Sequence, residues 1–320
     1  MVDFIISKNG TYIVYFGMMS IQSKVAVNSY YEAHKKSIDV RLSELLAGAG
    51  YGGAPVFDDA LKYTILSKGK RIRPVFALAI YELFDNDIEK ILNSACAIEL
   101  LHTGSLMLDD LPSMDNAHIR RGKKTSHTRF GESTTILASA ALWVRSFDLI
   151  ANTNHSRAPE ILSSATNLVG PEGIILGQYY DLEAIKCSYT MDELVYHYEL
   201  KTAALFRLAA KFGSVLGGAT KHQEDLLDEY ARCLGIAFQI KDDIIDATQT
   251  AEYSGKDARQ DDINHKQNFV STIGLEASEY ELRKYLEMAS NALKKTNLDY
   301  KHLISITDNL AKYPARHNKS

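Results

Sequence analysis

Apolar positions recur every three to four residues over most of the chain, the spacing of a helix buried on one side. Ten segments carry it: 28–47, 58–67, 74–83, 87–108, 133–152, 159–170, 173–184, 190–217, 222–247 and 278–293. Residues 172–313 contain no proline and are rich in Leu, Ala, Glu and Lys, so the second half reads as successive long helices. No alternating run long enough for a strand, no internal repeat and no low-complexity linker interrupts them. The pattern predicts an all-α, single-domain bundle over 21–320. Two stretches, 91–108 and 205–216, are apolar nearly all round and need cover on every side, which predicts a dimer. Residues 1–20 are apolar and aromatic without a period and lack the marks of a signal or transit peptide; they read as a disordered or dispensable N-terminal extension.

Composition narrows the class without changing it. Thirty-six basic against forty acidic residues leave a formal charge of −4, which argues against a polybasic nucleic-acid binder. The longest apolar run, Val75–Tyr81, is too short for a membrane span. Cys96, Cys187 and Cys233 lie far apart and suit a reducing compartment, so a cytoplasmic protein is expected.

Two acidic clusters stand out against this apolar background. Asp109, Asp110 and Asp115 crowd the end of one apolar helix, and Pro112 forces a bulge that can turn Asp115 back toward the other two. Asp242, Asp243 and Asp246 lie within a helix; the i,i+4 pair of Asp242 and Asp246 brings their Cβ atoms to roughly 5–6 Å on one face. Unpaired carboxylates in such surroundings are costly, and hard oxygen ligands select Mg²⁺ or Ca²⁺. Neither cluster has the alternating acids and central glycine of a Ca²⁺ loop, whereas Mg²⁺ is commonly completed by substrate phosphates. Cations suited to a diphosphate are present as well. Lys68, Lys70, Arg71 and Arg73 surround Gly69 before a helix start, Arg120 and Arg121 follow the first cluster, and Lys201, Lys256 and Lys266 stand apart.

In this order the residues resemble the trans-isoprenyl diphosphate synthases, the farnesyl and geranylgeranyl diphosphate synthases and polyprenyl synthetases. The blocks that carry the likeness are GKRIRP at 69–74, LLHTGSLMLDDLPSMDNAHIRRGKKTSH at 100–127, GQYYDLE at 177–183, KTA at 201–203, FQIKDDIID at 238–246 and LAKYPAR at 310–316. The resemblance implies a helical homodimer of the isoprenoid-synthase type around a central apolar cavity. It implies an Mg²⁺-dependent condensation of isopentenyl diphosphate with a dimethylallyl, geranyl or farnesyl diphosphate. By the same likeness Asp109, Asp110, Asp115, Asp242, Asp243 and Asp246 would hold three Mg²⁺. Arg120, Lys201 and Lys256, with Lys266 nearby, would hold the allylic diphosphate, and Lys70, Arg73, His102 and Arg121 isopentenyl diphosphate. Gln178, Asp181, Thr202 and Gln239 would surround the reacting carbons.

Product length is expected from the positions four and five before the first aspartate. Ser105 and Gly104 are small there, which favours a twenty-carbon geranylgeranyl product, with farnesyl the alternative and Trp143 a possible deeper floor. The chain departs from the family at Ala117, His118, Lys124, Ala140 and Gln260, none of them a motif aspartate. A terpene cyclase is disfavoured by the intact second aspartate motif and by GKRIRP. A regulatory subunit without strong activity is disfavoured because the motif aspartates are all retained.

Overall fold

The computed structural model describes residues 3–6, 12–15, 21–47, 53–184, 188–253, 267–304 and 307. The chain is all-α. Strands β1 (Asp3–Ile6) and β2 (Tyr12–Tyr15) pair antiparallel ahead of the helices α1 (Ile21–Ala47), α2 (Pro55–Ile65), α3 (Ile72–Tyr81) and α4 (Glu89–Asp109). A two-residue hairpin, β3 (Ile119–Arg120) with β4 (Lys123–Lys124), follows, and then α5 (Ser126–Phe130), α6 (Glu132–Ala151), α7 (Ala158–Val169) and α8 (Ile174–Glu183). After α9 (Met191–Tyr198) the helix widens into one π turn over Glu199–Ala203. It resumes as α10 (Ala204–Gly217), followed by α11 (Lys221–Tyr253), α12 (Phe269–Ile273) and α13 (Leu275–Lys295).

One continuous hydrophobic core runs through the bundle. Helix α10 packs on α3, α4, α7 and α11, while α6 covers α4 and α13 covers α11. Small residues permit the closest approaches: a Cβ on Gly235 would lie 2.4 Å from Cα of Ala203, and one on Gly213 would lie 2.7 Å from the Ala77 carbonyl oxygen. Packing α11 onto the π turn and α10 onto α3 therefore depends on glycine.

The continuous helix expected over 190–217 is broken by the π turn, whose extra residue shifts the side chains that follow, a feature common at functional sites. The apolar-all-round segments also find their cover within the chain, since α4 and α10 are largely buried. Uncovered apolar side chains are found on α6, where Ile136 (46 %), Leu137 (61 %) and Val144 (69 %) are exposed. Helices α4 and α6 are long and apolar enough to cross a bilayer by length and composition, but α4 is a core helix here.

Candidate active site

The bulge after Pro112 is present. The Asp115 N–H donates to the Asp109 carbonyl (2.9 Å), and the Asn116 N–H to that of Leu111 (3.0 Å). This folds Asp115 back beside the end of α4. Burial first, and then the neighbouring Asp115 and Asp181, push Asp109 up to about 6 against the pull of Lys201 and Arg120. Asp110 is buried and accepts from Arg120 Nε at 2.7 Å. Asp181 on α8 pairs with Lys201 Nζ at 2.8 Å.

The second acidic set lies on α11. Burial and then Asp246 push Asp242 up to about 6, opposed by Lys70, Lys241 and Arg73. Asp243 is also pushed up to about 6 by burial, although its oxygens are well occupied. Oδ1 accepts from Gln239 Nε2 (3.2 Å), and Oδ2 accepts from the Tyr198 hydroxyl (2.5 Å) and the Phe269 N–H (3.1 Å). Asp246 is exposed.

The π turn lies between the two sets and serves both. Lys201 reaches Asp181 and the field of Asp109, while the Thr202 hydroxyl donates to Gln239 Oε1 on α11 (2.8 Å). A Cβ on Gly177 would lie 2.7 Å from the Lys201 nitrogen, so only glycine lets α8 approach this turn. The next residue, Gln178, points Nε2 toward Met114 Sδ at 3.9 Å, and its buried Oε1 has no partner among the described residues.

The cations form a third group. Arg73 lies over the Phe206 ring (5.0 Å) and 3.4 Å from His102 Nε2, and burial pushes its guanidinium down to about 10. Its Nε is buried without a partner among the described residues. Burial and the surrounding arginines hold His102 well below the usual imidazole range, so it is neutral and can accept from Arg73. A Cβ on Gly69 would lie 2.8 Å from guanidinium nitrogens of both Arg71 and Arg121, so glycine lets these two converge. Arg71, Asn116 and Arg121 adopt left-handed backbone (φ 51°, 50° and 53°), an expense that non-glycine residues bear at such loops.

Arg71 differs from the other cations. Its buried guanidinium pairs with Glu99 (2.6 Å) and Asp39 (2.8 Å) and caps the Ile65 and Ser67 carbonyls at the end of α2. It ties down the loop that carries Lys70. Sequence reasoning missed this, although Glu99 inside an otherwise apolar helix was a sign that a buried cation faces it. It also missed Tyr198 and the Phe269 N–H as partners of Asp243; no sequence spacing signals either. Lys256, Lys266, Gln260 and the 310–316 block lie outside the described residues.

At the proposed floor, Gly104 lies directly under Trp143. A Cβ there would be 2.5 Å from the indole, whose Nε1 donates to the Leu101 carbonyl (3.1 Å). Ser105 is half-buried and donates to the His102 carbonyl (2.9 Å).

Among the described residues no three acidic, histidine or cysteine side chains already converge on one metal position. The donor set nonetheless fits a hard divalent cation. Asp109 and Asp242 are raised by burial and by neighbouring carboxylates, a combination that a cation relieves.

The family model for polyprenyl synthetase matches residues 54–306. The chain is 34 % identical over 282 residues to the farnesyl diphosphate synthase of Geobacillus stearothermophilus, covering 87 % of this chain and 94 % of that one. It is 40 % identical over 243 residues to geranylgeranyl pyrophosphate synthase 10, mitochondrial, of Arabidopsis thaliana, covering 73 % and 71 %. The crystal structure of an FPP/GFPP synthase from Zymomonas mobilis superposes with a TM-score of 0.80 at 29 % identity, over 90 % of this chain and 100 % of that one.

Proposed function

The chain belongs to the polyprenyl synthetase family and is a prenyltransferase that elongates isoprenoid chains, and on that footing we propose that it joins isopentenyl diphosphate head to tail to an allylic diphosphate, with geranylgeranyl diphosphate as main product. The observation that carries this reading is the pair of carboxylate sets served by one π turn, with Arg73 Nε and Gln178 Oε1 buried beside them and without a hydrogen-bond partner among the described residues.

Asp109 and Asp115 on one side, and Asp242 and Asp246 on the other, would hold three Mg²⁺. Asp110 and Asp243 give oxygens to Arg120, Tyr198, Gln239 and the Phe269 N–H, and so keep their neighbours in place. When bound, Mg²⁺ neutralises the charge that develops on a departing diphosphate. Lys201 and Arg120 take the allylic diphosphate oxygens, with Lys256 and Lys266 assigned to the same group from sequence alone. Lys70, Arg73 and Arg121 take the diphosphate of isopentenyl diphosphate. His102, being neutral, adds no charge there but receives a hydrogen bond from Arg73 and fixes its direction. Phe206, fully buried below Arg73, helps keep water from the electrophilic carbon. Ser105, small and half-buried, supports the twenty-carbon product over farnesyl, whereas the room beside Gly104 is taken by Trp143. The exposed apolar face of α6 supports a homodimer.

The test is to incubate purified protein with isopentenyl diphosphate, Mg²⁺ and each allylic primer and to size the products. Twenty-carbon product lost on chelation is expected. Fifteen-carbon product alone would leave the reaction class standing and reject the length. No elongation from any primer would reject the assignment.

A further inference from the structure

The side-chain amide of Gln267 treats Tyr189 as a neighbouring strand would. Its Oε1 accepts from the Tyr189 N–H at 2.5 Å, and its Nε2 donates to the Tyr189 carbonyl at 2.8 Å and to Thr272 Oγ1 at 3.0 Å. Two segments 78 residues apart are thereby joined, just ahead of α9 and just ahead of α12. One side-chain amide thus meets both the N–H and the C=O of a single residue, the pairing that a strand's peptide groups make in a ladder.

Each end of the clasp leads to one side of the diphosphate site. From Tyr189 the hydroxyl donates to the Tyr180 carbonyl (3.3 Å), next to Asp181 and its ion pair with Lys201. The Tyr189 ring also sits edge-on to His197 (4.2 Å, 87°), which stacks on Tyr180 (4.4 Å). From Gln267 the chain passes to Asn268, which caps α12 in a reciprocal box with Ser271, and then to Phe269. The Phe269 N–H is the donor to Asp243 Oδ2, the oxygen that also takes the Tyr198 hydroxyl.

We propose that Gln267 is a positioning residue for the allylic diphosphate site, holding the Asp181–Lys201 side and the Asp243 side at a fixed separation through its clasp on the Tyr189 backbone. It touches no substrate itself. The role rests on the function proposed above, whereas the clasp is independent of it. The isopentenyl side, built from Lys70, Arg73 and Arg121 around α3 and the β3–β4 hairpin, lies on elements that the clasp does not join. The two substrates should therefore respond differently.

The experiment compares wild type with Gln267→Ala and with the similarly sized but non-bonding Gln267→Met in the full chain. Amide hydrogen exchange without substrates should be about tenfold faster at Tyr189 and at Phe269 in both variants, the loss expected for one to two net hydrogen bonds. In steady-state assays the KM for the allylic diphosphate should rise about tenfold while that for isopentenyl diphosphate holds, with kcat and unfolding midpoint little changed. Unaltered exchange at Tyr189 and Phe269 would overturn the clasp. An equal rise in both KM values, or a lowered midpoint with unchanged KM values, would overturn the positioning role. Faster exchange in the variants of a protein whose wild type elongates no primer would overturn the functional reading while upholding the clasp.

Discussion

Residues with the same charge do different work here. Arg71 and Arg73 are two positions apart, yet one is spent on Glu99, Asp39 and two carbonyls while the other keeps an Nε with no partner among the described residues. Arg71→Met would strand the Glu99 carboxylate in the core, so the unfolding free energy should drop by about 3–5 kcal/mol. Chemical denaturation would measure it, and a drop below 1 kcal/mol would dismiss the staple. Product length is also decided by single side chains. Because a Cβ on Gly104 would meet Trp143 at 2.5 Å, a bulky residue there reports on packing before it reports on the product. Ser105→Phe is the cleaner probe: products should shorten from twenty to fifteen carbons, and an unchanged chromatogram would remove this position from the floor.

At the scale of elements, the π turn is the deciding feature. A regular α-helix over 190–217 would place Lys201 and Thr202 one residue out of phase with the chain that follows them. The observed widening lets Lys201 face Asp181 while Thr202 faces Gln239. Gly177 seats α8 against this turn, with only 2.7 Å between a hypothetical Cβ and the Lys201 nitrogen. Gly177→Ala should push the turn away and cut turnover by about tenfold to a hundredfold, as sub-ångström to ångström misplacements do. Circular dichroism should show helicity intact. Full activity would mean that the close approach is incidental.

For the whole molecule, two properties follow from how the helices assemble. Asp109, Asp242 and Asp243 hold protons up to about pH 6 in the metal-free chain, against roughly 4 when unfolded. The folded state therefore binds more protons between about 4 and 6, and this contribution to stability falls as pH rises through that window. His102 and His197, whose imidazoles are pushed down by burial, oppose it, since the unfolded chain takes up those protons at higher pH than the folded one. A cation binding at Asp109 and Asp242 must displace their protons. The rise in unfolding midpoint given by saturating Mg²⁺ with an allylic diphosphate should accordingly be larger at pH 7.5 than at pH 5.5, and Asp109→Asn should flatten that difference. An equal rise at both pH values would contradict the assignment. The second property is assembly. Ile136, Leu137 and Val144 leave an apolar stripe on α6 that the fold does not cover. The homodimer proposed above is expected to use this stripe: Leu137→Glu with Val144→Glu should yield monomers by sedimentation where the wild type gives dimers, and an undisturbed dimer or a monomeric wild type would reject the stripe as an interface.

The sequence by itself determined the all-α class, the bulge after Pro112, both acidic clusters and the basic turn around Gly69. These depend on local rules: helical period, proline's missing N–H, and carboxylates placed side by side in apolar surroundings. Only the tertiary structure decided which carboxylates are tied to the protein, that Arg71 is a staple, that Gly104 is roofed by Trp143, and that Gln267 clasps Tyr189. Most of these pairings join residues tens of positions apart, and no periodicity along a chain encodes which distant side chains will share one buried space.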